Sequence, residues 1–350
     1  MSSFVITMIK KINEYPKLML LCLFVFAGLY SCQPDKFKVD VSEIKVDAKI
    51  MRLDRDILDV NKQDPEAAFS LLQKKYGGFF DIYLRYIISV GETGQPGTIQ
   101  RLRQFLNDPG VQDLFRETQT KFTSLDDLEA ELESALKHYA HYFPEKVVPK
   151  PVAFVSGLNY AIITTDSSLG IGLDMYLGPD FKAYESIGLP RYKINKMKPE
   201  YIAVDCIRGM AQSEWAQDTV PREFLSQMVY QGKMYYFMKS LLPEKKDEDI
   251  IQFSKQQLDW CTENENRIWA FFIENNLIYS TDAIEFLKFI NDGPSTNGFP
   301  AEAPPMLGSW VGWQIVRAYM KNSPEVSLEG LMAETDVQKI LRVSKYKPRK

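Results

Sequence analysis

Val152-Ala-Phe-Val-Ser156, Tyr160-Ala-Ile-Ile-Thr-Thr165 and Ile171-Gly-Leu-Asp-Met-Tyr-Leu177 decide the fold class. Each is a short run rich in apolar, β-branched and aromatic residues, bounded by Pro, Gly, Asn or Ser, which suits a strand better than a helix. Pro144, Pro149 and Pro151 break the chain just upstream. Ala48-Lys-Ile-Met-Arg-Leu-Asp54 alternates well enough for one more strand. Elsewhere the periodicity is helical. Helices are expected over residues 65–75, 78–89, 97–107 and 124–142, with Ser124-Leu-Asp-Asp as a start signal for the last. Beyond Leu189-Pro190 they are expected over 199–215, 221–242, 247–276, 280–291, 308–321, 327–334 and 336–342. Gly293 to Pro305 reads as an aperiodic loop. The expectation is an α+β body, predominantly helical, around a small β-sheet.

The start of the chain has a separate reading. Lys10, Lys11 and Lys17 precede an apolar run from Leu18 to Tyr30, too short for a comfortable membrane span, which closes at Leu29-Tyr30-Ser31-Cys32. The pattern resembles a bacterial lipoprotein signal, in which Cys32 becomes the lipidated first residue of the mature chain. Residues 1–31 are then a signal peptide, 32–45 a tether, and 46–348 a single domain. In that domain a helical part with the small sheet runs to about 190, and an all-helical part follows. The expected partner is a membrane, reached through acyl chains on Cys32, because two or more chains anchor stably where one does not.

The formal net charge is −4, and loss of the leader, with three Lys and one Glu, leaves about −6. Such an acidic, mixed balance argues against nucleic acid as a partner. Of the four cysteines, Cys206 and Cys261 remain in the body, each on an apolar helical stripe that suits a small core hydrophobe.

Histidine scarcity excludes more chemistry than any motif suggests. His138 and His141 are the only two, so no H-E-x-x-H motif exists in the helical half, and a serine triad would have to draw its base from one helix. Glu131, Ser134, His138 and His141 share a helix face by spacing, which makes His138 and His141 weak metal candidates. The simpler alternative is a solvated face beside the Leu128, Leu132, Ala135, Leu136 stripe. Glu265 interrupts the apolar series Leu258, Cys261, Ile268 and Phe272, so its carboxyl should be at least partly desolvated and needs either a partner or a raised pKa. Asp174 lies among glycines at a strand end, suited to a turn or a cleft edge. Gly308 and Gly312, one turn apart, would let their helix approach a neighbour closely.

His141-Tyr-Phe-Pro144, Val155-Ser-Gly157, Gly172-Leu-Asp-Met-Tyr-Leu-Gly178, Met228-Val-Tyr-Gln-Gly-Lys233, Gly308-Ser-Trp-Val-Gly-Trp-Gln-Ile-Val-Arg317 and Ser344-Lys-Tyr-Lys-Pro348 together resemble the GldB-type gliding-motility lipoproteins of Bacteroidetes. The resemblance implies an envelope lipoprotein on a degenerate zincin-like metallopeptidase scaffold; attachment is expected at the outer membrane facing the periplasm, because Cys32-Gln-Pro-Asp-Lys36 lacks a strong acidic run that would signal surface export. In zincin-like relatives one helix carries H-E-x-x-H and a later helix an acidic ligand. The corresponding segments here offer Asp205-Cys-Ile-Arg-Gly-Met-Ala-Gln212, without histidine, and Gln231 in place of an acid. A neutral amide is a poor zinc ligand.

Three functions follow as expectations. The preferred one is a non-catalytic, lipid-anchored envelope protein facing the periplasm, with no cofactor, no catalytic residue and no metal, acting through a binding or assembly surface in gliding motility or type IX secretion. Asp174, Asp205, Gln231 and Glu265 would then be remnants of the cleft. The second is a hydrolase using Glu265 and Asp174 as acid and base. The third is a solute- or glycan-binding lipoprotein with an aromatic platform drawn from Trp260, Trp269, Trp310 and Trp313.

Overall fold

Four short strands form one mixed sheet: β1 (Met51–Arg52), β2 (Lys150–Phe154), β3 (Ile162–Thr164) and β4 (Ser168–Gly172). Their order is β1-β2-β4-β3, with β1 and β4 parallel to β2 and β3 antiparallel to β4. The computed structural model describes residue 37 and residues 39–348, apart from Gln63, so the leader and Cys32 lie outside the described residues. Chain contacts gather the residues from Val41 onward into one unit.

The sheet departs from its sequence reading at both ends. Only Met51 and Arg52 of the run 48–54 pair as a strand, and Leu53 already begins a helical turn. The third strand is expected at Ile171–Leu177 but ends at Gly172, and Leu173–Tyr176 wind into a buried 3-10 turn. A continuous apolar run has the same composition in either geometry. Gly172 has no room for a side chain, since a Cβ there would lie 1.9 Å from the Tyr160 carbonyl oxygen.

The helices of eight residues or more are α1 (Pro65–Tyr76), α2 (Thr98–Asn107), α3 (Pro109–Lys121), α4 (Asp126–Tyr142), α5 (Ile202–Glu214), α6 (Phe224–Leu241), α7 (Lys255–Glu263), α8 (Glu265–Glu274), α9 (Ala283–Ile290), α10 (Leu307–Asn322) and α11 (Val337–Ser344). α3 is absent from the sequence reading. It begins where Asp108 accepts from the Val111 amide and Pro109 occupies the first position, a start signal that its weak apolar stripe obscured. The expected segment 247–276 divides into three. Asp247–Ile251 ends at Gln252, whose φ of +58° is left-handed, and a break at Asn264 separates α7 from α8.

Helix α6 runs through the middle of the helical half. Every residue along it is buried except Gln231, Lys233 and Lys239. A helix apolar on all sides has to be wrapped by others. Its tightest neighbour is α10, where two glycines meet: a Cβ on Gly312 would lie 1.8 Å from the Met228 carbonyl oxygen, and one on Gly232 2.3 Å from that of Gly312. The close approach expected of Gly312 therefore has Gly232 as its counterpart. Phe224, Phe272, Phe286 and Phe289 fill the adjoining core edge-to-face and stacked. A second core joins α1 and α2 to the sheet through Phe79, Phe80, Tyr83 and Phe154.

Candidate functional site

Helix α5 supplies the back wall of the site. Asp205 and Arg208 stand three residues apart on it and share a face. Arg208 Nη1 donates to Asp205 Oδ1 at 3.0 Å and to Gln252 Oε1 at 3.3 Å, while Nη2 donates to the Ile250 carbonyl at 3.3 Å. Gln252 Nε2 closes the ring on Asp205 Oδ1 at 2.7 Å, and the Tyr176 hydroxyl donates to Oδ2 at 3.0 Å. Both oxygens of Asp205 are thus engaged. Burial pushes this carboxyl above its ordinary pKa, and Arg208, the Tyr176 and Gln252 hydrogen bonds and Lys196 pull part of the way back. Gln252 takes its place in the ring from a left-handed backbone, a strain on the order of 1–3 kcal/mol.

This ring borders a cleft of about 250 Å³. Gln212 and Lys196 stand on its rim, α6 contributes Gln231, Met234, Tyr235 and Met238, and the approach to α10 adds Asn291, Asp292 and Met306. Lys196 donates to Asp292 at 2.8 Å. Burial lowers the pKa of this lysine, against the opposing pull of Asp292. Met306, just before α10, is left-handed like Gln252, with φ +59°, and its sulfur accepts a long 3.8 Å hydrogen bond from the Tyr235 hydroxyl. Both residues lining the cleft in this conformation are non-glycine, which is uncommon and often marks functional sites. Gln212, Gln231 and Asn291 make no side-chain hydrogen bond to other described residues.

The structure brings Asp205 and Gln231 to this one place, Asp205 in its wall and Gln231 on its surface. Asp174 does not line it. Its carboxylate is fully buried under the β2–β3 connection and accepts from the Ser156 amide at 3.0 Å, the Leu158 amide at 2.7 Å and the Ser156 hydroxyl. Burial raises its pKa despite those bonds. Glu265 opens α8 and accepts from the Tyr346 hydroxyl at 2.8 Å, with the Tyr346 ring edge-on to Trp269. The acid and base of the hydrolase reading are therefore held by separate partners, and neither reaches the cleft. The expected solvated face of α4 holds at Ser134 and His141, which are exposed, and fails at His138, which is buried with its Nδ1 2.8 Å from the Ser134 carbonyl. Glu131 pairs with Lys245 instead. Cys206 and Cys261 are buried free thiols.

The aromatic platform does not form. Trp310 and Trp313 are buried, and Trp260 and Trp269 are half-buried against Phe299 and Tyr346. A second hollow of about 350 Å³ surrounds Glu214, which receives a hydrogen bond from the Tyr139 hydroxyl and pairs with Lys146 at 3.3 Å. Among the described residues no group of three or more His, Cys, Asp or Glu is placed to hold a metal ion.

A model of the family described as gliding motility protein GldB matches residues 34–348, nearly the whole chain. The chain belongs to the GldB family. No curated protein and no solved structure matches it. In this GldB-family chain the candidate-site residues that the sequence reading does not identify are Arg208, Gln252, Lys196, Tyr176 and Asp292. Only the Asp205-x-x-Arg208 spacing was visible beforehand. The others arrive from four separate segments, which no local pattern connects.

Proposed function

We propose that this GldB-family protein is a non-catalytic, lipid-anchored component of the cell envelope, held at the outer membrane facing the periplasm by acyl chains on Cys32. It serves gliding motility, or the type IX secretion associated with it, by binding a partner at the cleft of α5 and α6. One observation carries the non-catalytic reading. The carboxylates at the cleft are already engaged, Asp205 by Arg208, Gln252 and Tyr176, and Asp292 by Lys196. Both oxygens of Asp205 are spent on these neighbours, and the Lys196 ammonium neutralises Asp292, which disfavours each as a general base. What this cleft presents instead is amide and thioether surface, which suits recognition.

The zincin-like ancestry belongs to the same proposal. Asp205 on α5 and Gln231 on α6 belong to the segments that the resemblance assigns to metal ligands; Gln231 lines the cleft, and Asp205 bonds Arg208 and Gln252, which line it. A fold can outlast the chemistry once placed on it.

The test uses native protein purified from membranes and a panel of fluorogenic peptides with and without added zinc. No turnover is expected. Metal-dependent hydrolysis that disappears in Glu214→Gln or Glu265→Gln would overturn the proposal. In a gliding host, deletion of the gene should stop gliding, with rescue by the wild type and by neither a soluble form nor Cys32→Ser.

A further inference from the structure

We propose that the basic segment from Arg342 to Lys347, with Trp269 and Ile273 of α8 beside it, docks on the anionic headgroups of the phospholipid bilayer that holds the Cys32 anchor. This rests on the lipid-anchored reading and adds the face that the domain turns to the membrane.

Charge asymmetry points to the segment. Residues 337–350 carry Lys339, Arg342, Lys345, Lys347, Arg349 and Lys350 and no acid, in a chain of formal net charge −4. The rest of the chain therefore stands at about −10. So acidic a body should draw these cations into ion pairs, yet only Lys339 has one among the described residues, with Glu334 at 2.6 Å. Asp336 is taken up in capping α11, where it accepts from the Lys339 amide at 2.8 Å. Arg342, Lys345 and Lys347 are exposed and form no ion pair with other described residues. They are open to an anion from outside the chain.

The fold fixes how these cations are displayed. Asn322 of α10 donates to the Val343 and Ser344 carbonyls at 3.3 and 2.7 Å, which pins the end of α11. The backbone then turns at Lys345, left-handed with φ +46°, and Tyr346 lies back on α8. Its hydroxyl donates to the buried Glu265 at 2.8 Å, and its ring meets Trp269 edge-on at 5.3 Å. Tyr346 and Pro348 are half-buried, while Lys345 and Lys347 between them point outward. Two lysines on a backbone already held in place have little ordering cost left on docking.

Apolar surface adjoins them. Trp269 is half-buried, and Ile273, one helical turn further along α8, is 52% exposed. Long cationic side chains beside an indole and an exposed aliphatic group suit the water–lipid boundary, where the cations meet headgroups and the apolar groups sink below them. The tether favours a bilayer over a soluble acidic partner. Residues 33–40 span at most about 30 Å, so under the proposed anchoring the bilayer is always within reach. A contact too weak to hold a free partner is then occupied.

The experiment uses acylated protein purified from membranes and reconstituted in vesicles of chain-brominated phosphatidylcholine. Adding about 30 mol% phosphatidylglycerol is expected to quench tryptophan emission, and about 0.5 M NaCl to restore it. Trp269→Phe, which keeps a ring against Tyr346, should abolish the quenching. Lys345→Gln combined with Lys347→Gln should remove most of it, since each cation near an anionic surface contributes about fivefold to binding. Ile273→Asn, at an exposed position, should weaken it severalfold. Emission unmoved by phosphatidylglycerol, or quenching that survives Trp269→Phe, overturns the proposal. So does a response to polyglutamate in place of the vesicles, which would make the partner an acidic polypeptide. Flotation with neutral vesicles reports the acyl anchor separately. Protein that floats only with phosphatidylglycerol would sink the anchor and support the docking face, and protein that floats with neutral lipid but is never quenched would do the reverse.

Discussion

Asp205 is the residue on which the cleft wall depends. With its oxygens shared among Arg208, Gln252 and Tyr176, an Asp205→Asn change removes the counter-charge of Arg208 and turns one acceptor into a donor facing donors. The expected loss is about 2–4 kcal/mol of unfolding free energy, measured by urea titration. Lys233 gives a pH signature. Burial lowers its pKa to about 8 from 10.5, while its Nζ donates to the carbonyls of Met332 and Glu334. Between those values the unfolded chain holds a proton that the folded chain has released, so stability rises with pH. Wild type should therefore gain on Lys233→Met as pH climbs from 8 to 10.5, by up to about 3 kcal/mol, since the neutral amine keeps its donors. An unchanged difference across that range would remove the burial argument.

At the scale of elements, the contact of α6 with α10 fixes the helical half. Gly232 and Gly312 bring two backbones closer than any side chain permits. Alanine favours a helix interior over glycine by about 1 kcal/mol, yet here its methyl group would meet a carbonyl oxygen and force the helices apart. Gly312→Ala is expected to lower the thermal midpoint by several degrees, a loss of about 2–4 kcal/mol. Gly78→Ala, at a helix start with nothing within 4 Å, should be neutral or slightly stabilising. Equal effects at the two sites would contradict the packing account. The same contact bears on the cleft, because Gln231 precedes Gly232 on α6 and Met306 directly precedes α10.

At the scale of the whole molecule, attachment and recognition, as proposed above, fall to different parts of the chain. Among the described residues no helix is long and apolar enough to cross a membrane. Under the proposed arrangement Cys32 carries the anchor and residues 33–45 serve as its tether. Cys32→Ser should abolish labelling by radioactive palmitate and shift the protein from the membrane pellet to the soluble fraction. Retention in the pellet after high-salt and carbonate washing would refute lipid anchoring through this residue.

Periodicity and composition carried the class of the fold: long helical stripes, three short β-rich runs and the glycine spacing of α10 were all legible, because they express local patterns of burial. So was the scarcity of imidazole. What tertiary structure decided lies between segments. The left-handed turn at Gln252 splits a continuous helical pattern and carries an amide to Asp205. The buried Asp174 is satisfied by a loop sixteen to eighteen residues upstream, and Glu265 by a tyrosine 81 residues downstream. Hydrogen-bond partners so distant in sequence leave no periodic trace, since only the folded backbone sets their separation.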